Sequence, residues 1–213
     1  MDVTGRREPN TICQTNRSTT GETTMTFARG ARWLAAVALM VATNAFADAA
    51  SDQVSRSNAA TRLFMDFCLG TTGDFAKVNG LATQNHLPFV RADFAPHFLG
   101  GKAGRVWSAT NSLGEFVIIG TEDNTCQVWA KQADAPTSIQ HFNRIVSGVP
   151  RPGLVVKLVK DETLSGKDGA YRVVAYLMRR DDQVNGMLVS IISSESTTAA
   201  VQVRLKIQAA ADR

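Results

Sequence analysis

Apolar side chains recur with helical spacing near the start of the ordered-looking part of the chain. Ala60, Leu63, Phe64, Phe67 and Cys68 fall at i, i+3, i+4, i+7 and i+8, the stripe of an amphipathic helix. This predicts a helix from about Ser55 to Leu69, stopped at Gly70. After the turn Gly70-Thr-Thr-Gly73, Phe75, Val78 and Ala82 continue helical spacing to about Asn85, with Thr72 as the expected cap. Gly80 weakens this second helix by about 1 kcal/mol relative to alanine. Residues 86–103 read as a loop, with Pro88, Pro96, Phe89, Phe94, Phe98 and the pair Gly100-Gly101. Its many apolar side chains imply that it packs down or borders a ligand.

The period then changes to that of strands. Arg105 to Ala109, Glu115 to Thr121 and Thr125 to Lys131 are separated by Asn111–Gly114 and Glu122–Asn124, at hairpin spacing. Phe116 to Ile119 is apolar without alternation, so this strand is expected to be central and covered on both faces. Asp134 ahead of Pro136, then Ile139, Phe142, Ile145 and Val146, predict a helix ending at Gly148. Four further strands follow: Leu154 to Lys160, Ala170 to Arg179, Gly186 to Ser193 and Ala200 to Gln208. In the last, Val201, Val203, Leu205 and Ile207 alternate with Gln202, Arg204, Lys206 and Gln208, as in an antiparallel sheet with one wet face. The expected fold is α+β: two N-terminal helices and a mainly antiparallel sheet of about seven strands, with one helix inserted after the third strand.

The first 47 residues have a different character. Met25 to Ala47 carries Arg29 and Arg32, the apolar run Leu34 to Val41, and Ala45-Phe46-Ala47. Those are the flank, core and cleavage site of a secretory signal peptide, with cleavage before Asp48. Thr43 and Asn44 interrupt the run well short of the roughly 20 apolar residues that a membrane span needs, so no stable span is expected after cleavage. Residues 1–24 are polar and without periodicity, an upstream extension, and translation is expected to begin at Met25. That leaves 48–213 as a single mature domain, periplasmic or secreted.

Export changes the meaning of the cysteines, because disulfides persist in oxidising compartments. Cys13 lies in the extension, so the mature domain holds Cys68 and Cys126 alone. Cys68 faces inward from the last turn of its helix, and Cys126 shares a strand face with Val128 and Ala130. A disulfide is the expected outcome, two separate buried thiols the alternative.

Charge narrows the partners. The sequence pI is about 9.2 with a net charge of +4. However, residues 1–47 hold Arg6, Arg7, Arg17, Arg29 and Arg32 against Asp2, Glu8 and Glu22. The remainder has 18 basic and 16 acidic residues, scattered and without interleaved aromatics, so no nucleic-acid partner is expected.

Phosphate-cradling glycine patterns and G-x-S-x-G are missing, and His86, His97 and His141 lack zinc-ligand spacing. Glu122-Asp123 and Asp181-Asp182 read as solvated hairpin tips, the second balanced by Arg179 and Arg180. No catalytic residue, metal or cofactor is assigned. Trp107 and Trp129, on strands, are expected either to be covered by the helix at 136–148 or to form a ligand or partner surface with Phe94 and His97.

The run FMDFC at Phe64 to Cys68, Trp107, GEFVII at Gly114 to Ile119 and TCQVWA at Thr125 to Ala130 together resemble a group of small exported proteobacterial proteins of unknown function. The resemblance covers mostly residues 60–131 and implies a cellular setting but no mechanism. The leading expectation is a non-catalytic binding or interaction module that meets an envelope protein or a small ligand. The alternative is a cell-envelope hydrolase with its site in residues 86–103, where His86 or His97 would have to meet Asp93. A third is a structural or inhibitor protein acting through its sheet edge.

Overall fold

The computed structural model describes residues 49–148 and 151–211, all within one compact unit. The expected extension at 1–24, the signal segment at 25–47 and its cleavage point at Ala45, Ala47 and Asp48 lie outside the described residues. Helical residues 49–63 run directly into a π-helical turn, Phe64–Leu69, and the two together form α1. The amide of Gly70 donates to the Met65 carbonyl at 2.8 Å, and that of Gly73 to the Cys68 carbonyl at 2.9 Å. These five-residue bonds widen the turn. Phe64, Phe67 and Cys68 stay buried, while Met65 is left 44% exposed at the side of the helix.

Helix α2, Phe75–Gln84, is capped by Asp74, whose carboxylate accepts from the Lys77 amide at 2.9 Å. Thr72, the expected cap, stands too early. It adopts φ 54° and its hydroxyl donates to the Thr71 carbonyl at 2.6 Å. The segment expected as a plain loop contains a short helix, α3, Ala95–Leu99, with Pro96 in its first turn and Gly100 at φ 58° ending it. Helix α4, Ala135–Ser147, opens on the Asp134 carboxylate, which accepts from the Thr137 amide at 2.8 Å.

The strands are β1 Gly104–Ser108, β2 Phe116–Thr121, β3 Thr125–Ala130, β4 Leu154–Gly166, β5 Gly169–Arg180, β6 Asn185–Ser193 and β7 Val203–Ala211. They form one antiparallel sheet in the order β1-β2-β3-β7-β6-β5-β4. Two meanders, β1–β3 and β4–β6, are therefore stitched together by the last strand, with α4 carrying the chain from β3 to the far edge. Strand β2, expected at the centre, lies next to an edge, and β7 takes the middle. The apolar run in β2 has a different cause: α2 packs on one side of the β1–β2 hairpin and α3 on the other, so both faces are dry.

Register defines the faces. Trp107, Ile118, Val128, Leu205, Ile191 and Val174 are paired in one row across the sheet. All six are buried, and they form the floor on which Phe64, Phe67, Val78, Ala82, Phe142 and Val146 of the helices pack. Cys126 lies on this face, beside Gly120 of β2 and Ile207 of β7. It forms a disulfide with Cys68, with a Cα–Cα distance of 5.3 Å across a separation of 58 residues. The turn after Cys68 is pressed against the β2–β3 hairpin. Gly73, at φ 76°, comes so near the Asn124 carbonyl that a Cβ there would lie 2.9 Å from its oxygen, and the Phe75 amide donates to Asn124 Oδ1 at 3.2 Å.

Closing a loop of this length removes denatured-state entropy equivalent to about 4 kcal/mol. We expect the double variant Cys68→Ala/Cys126→Ala to lose about that much stability in urea denaturation; an unchanged midpoint would contradict the clasp. Buried hydroxyls give a second contrast. Ser57 Oγ donates to the Gln53 carbonyl at 3.0 Å and lies 2.9 Å from the Asp134 carbonyl, tying α1 to the start of α4. Ser193 Oγ has no partner among the described residues. Ser57→Ala should lower the unfolding free energy by about 1–2 kcal/mol, whereas Ser193→Ala should leave it unchanged or raise it.

Candidate functional site

The helical roof does not cover the whole floor. Beside the π turn of α1 and the last turn of α4, the paired Met178 and Met187 of β5 and β6 continue the core face and are half-buried against it. A groove of about 920 Å³ opens there, within the roughly 300–1,000 Å³ of small-molecule sites. Its apolar wall comes from Met65 and Leu69 of α1, Ile145 of α4, Leu154 of β4 and the two methionines of the floor. Met65 and Leu69 both belong to the π turn, a feature that occurs frequently at functional sites.

The polar part of the lining is distinctive. Arg151, Arg179 and Arg180 border the groove with Thr72, Gln183 and Asn185, and no Asp, Glu, His, Cys or Ser lines it. Arg179 shapes the hairpin: its Nη1 donates to the carbonyls of Arg180 and Gln183 at 3.2 and 3.0 Å. Arg180 gives its Nε to Asp182 at 3.1 Å, which accounts for the acidic pair at that tip. Among the described residues the polar lining is made of guanidinium groups, side-chain amides and the Thr72 hydroxyl.

The residues singled out from sequence are dispersed. Trp107 is 1% exposed on the helix-covered face, where its ring and that of Phe75 approach Gly120. Its cover is the α2 region and not the helix at 136–148. Trp129 projects from the opposite face, half-buried between Phe98, with ring centroids 5.3 Å apart, and the Arg204 guanidinium 4.3 Å above its ring. Its indole Nε1 donates to Gln127 Oε1 at 3.1 Å. The two tryptophans therefore share no cavity. Phe94 and His97 are exposed around α3, Phe94 lying beneath the Arg91 guanidinium at 4.7 Å.

The proposed hydrolase pairing is likewise not assembled. Asp93 accepts from Arg91 at 2.7 and 3.2 Å, and no hydrogen bond joins it to His86 or His97 among the described residues. Those Arg91 bonds hold its carboxyl below the usual carboxylate range. No group of three His, Cys, Asp or Glu side chains gathers into a possible metal site among the described residues. At the sheet's β4 edge, a bulge between Leu158 and Lys160 interrupts the ladder, a device that discourages strand addition. The groove was missed because it is built from four separated segments. The available signal was Met65, an apolar residue off the stripe of its own helix.

One charge cluster lies on the Trp129 face and beside it. Asp123, at the β2–β3 tip, is held well below the usual carboxylate range, first by Lys102, whose Nζ donates to it at 2.6 Å, and next by the Thr121 hydroxyl, against the opposing effect of burial. Nearby Lys206 is pushed below the usual lysine range, first by burial and then by Lys102. Because folding depresses the Asp123 value, the pair stabilises fully above the unfolded carboxylate value of about 4 and is lost as pH falls through the folded value. Asp123→Asn should therefore lower the denaturation midpoint at neutral pH, with the gap to the parent protein closing on acidification below about pH 4. A gap that persists unchanged into acid would show that Asp123 is not the linked group.

No family model matches the chain, and no curated protein is similar to it.

Proposed function

We propose that the chain is an exported, non-catalytic binding module whose ligand enters the groove between the end of α1, the end of α4 and the β5–β6 hairpin. The observation that carries this is the lining itself: a large apolar concavity bordered by arginines, amides and the Thr72 hydroxyl, with no Asp, Glu, His, Cys or Ser among the described residues that line it. A catalytic site would need at least one titratable group within reach of the bound molecule.

Export supplies the compartment. The leader at 25–47 would deliver the chain to the periplasm or the exterior, and the Cys68–Cys126 disulfide is a bond that lasts in such a setting and is rare in the cytosol. Among the described residues no helix is long and apolar enough to cross a membrane. The likeness to small exported proteobacterial proteins in the FMDFC and TCQVWA segments agrees with this. A hydrolase centred on residues 86–103 is the weaker reading, because Asp93 is engaged by Arg91.

Nile red, a neutral apolar dye, tests the groove directly. We expect its fluorescence to rise on mixing with the exported protein. Met65→Glu, which places a charge in the apolar wall at an already half-open position, should abolish the rise while circular dichroism stays unchanged. An equal response from the variant, or none from the parent protein, would remove the groove as the binding site.

A further inference from the structure

We propose that the groove is specific for a single-chain amphiphile with an anionic head, namely a long-chain fatty carboxylate; this rests on the groove being the binding site. The wall and the border carry different parts of the claim. Met65, Met178 and Met187 present unbranched thioethers, which repack around a chain of variable conformation at little energetic penalty. Leu69, Leu154 and Ile207 complete a surface that an alkyl chain can share along its length.

The head is chosen by charge. Arg151, Arg179 and Arg180 all border the groove, and among the described residues no carboxylate lines it. A cationic ligand would meet like charge there, and a neutral one would leave the guanidinium field unused. The three arginines are not equivalent. Arg179 is committed to the hairpin carbonyls and Arg180 in part to Asp182. Arg151 makes no side-chain hydrogen bond or ion pair among the described residues, and it stands just ahead of β4, beside Leu154. A single available guanidinium fork matches a monoanionic carboxylate, which takes two parallel N–H donors. A phosphate dianion would call for more than one such partner.

A peptide occupant fits less well. The groove's floor is a paired part of the sheet, β5 with β6, so it offers no free strand edge for main-chain bonding.

Isothermal titration of the exported protein with palmitate, hexadecanol and a lysophosphatidate, each below its micelle concentration, tests the assignment. We expect palmitate to bind about tenfold more tightly than hexadecanol, and Arg151→Gln to remove most of that margin without altering hexadecanol binding. Palmitate should also displace Nile red. Equal affinity for palmitate and hexadecanol, or tighter binding of the lysophosphatidate, overturns the carboxylate assignment. Failure of palmitate to bind while Nile red still binds in a Met65-dependent way also overturns it and leaves the groove intact as a site. Failure of both removes the groove itself.

Discussion

The covalent link between Cys68 and Cys126 is the constraint on which the rest of this structure depends. It fixes the last turn of α1 over the middle of the sheet, because Cys126 is flanked by β2 on one side and by β7 on the other. From that point the chain has little freedom. Gly70 to Gly73 must reverse within a short span, Gly73 must pass close to the Asn124 carbonyl, and α2 must start where Asn124 can receive the Phe75 amide. The position of α2 over β1 and β2, and with it the burial of Trp107, follows from where the sulfur atoms meet.

Strand β7 provides the complementary non-covalent constraint. The two meanders have no direct pairing with each other, and only when β7 inserts between β3 and β6 does the floor become continuous. Its strict alternation serves that role: Val203, Leu205 and Ile207 complete the dry face, while Arg204 and Lys206 lie on the opposite face, Arg204 over the Trp129 ring. Because β7 is the last strand of the chain, its pairing with β3 is made at long sequence separation, and a clasp that pre-positions β3 under α1 reduces the entropy lost in making it.

Elements whose signal is local were legible in the sequence. The inward direction of Cys68 followed from helical spacing, that of Cys126 from strand alternation, and the α4 cap from Asp134 ahead of Pro136. Signals that depend on pairing were not. The burial of β2 on both faces was read as centrality, yet the cause is α3, a short helix of five residues within a Pro- and Gly-rich segment that no periodicity reveals. Trp107 and Trp129 looked like possible partners on one surface until the register aligned Trp107 with Ile118 and Val128, on the side of Cys126. Thr72 failed as a cap because the sharp turn after the π segment places it in the left-handed region, two residues before the actual cap, Asp74.

The groove arises from the same geometry that secures the core. Within the π turn Phe64, Phe67 and Cys68 are buried, while Met65 and Leu69 line the groove. The disulfide fixes the roof at this end, and the half-buried Met178–Met187 pair forms the floor of the groove with side chains that repack readily. Arginines then complete the border without adding a group that could react. Stability is concentrated at the clasp and along β7, and the groove borders both, through Leu69 next to Cys68 and through Ile207 of β7.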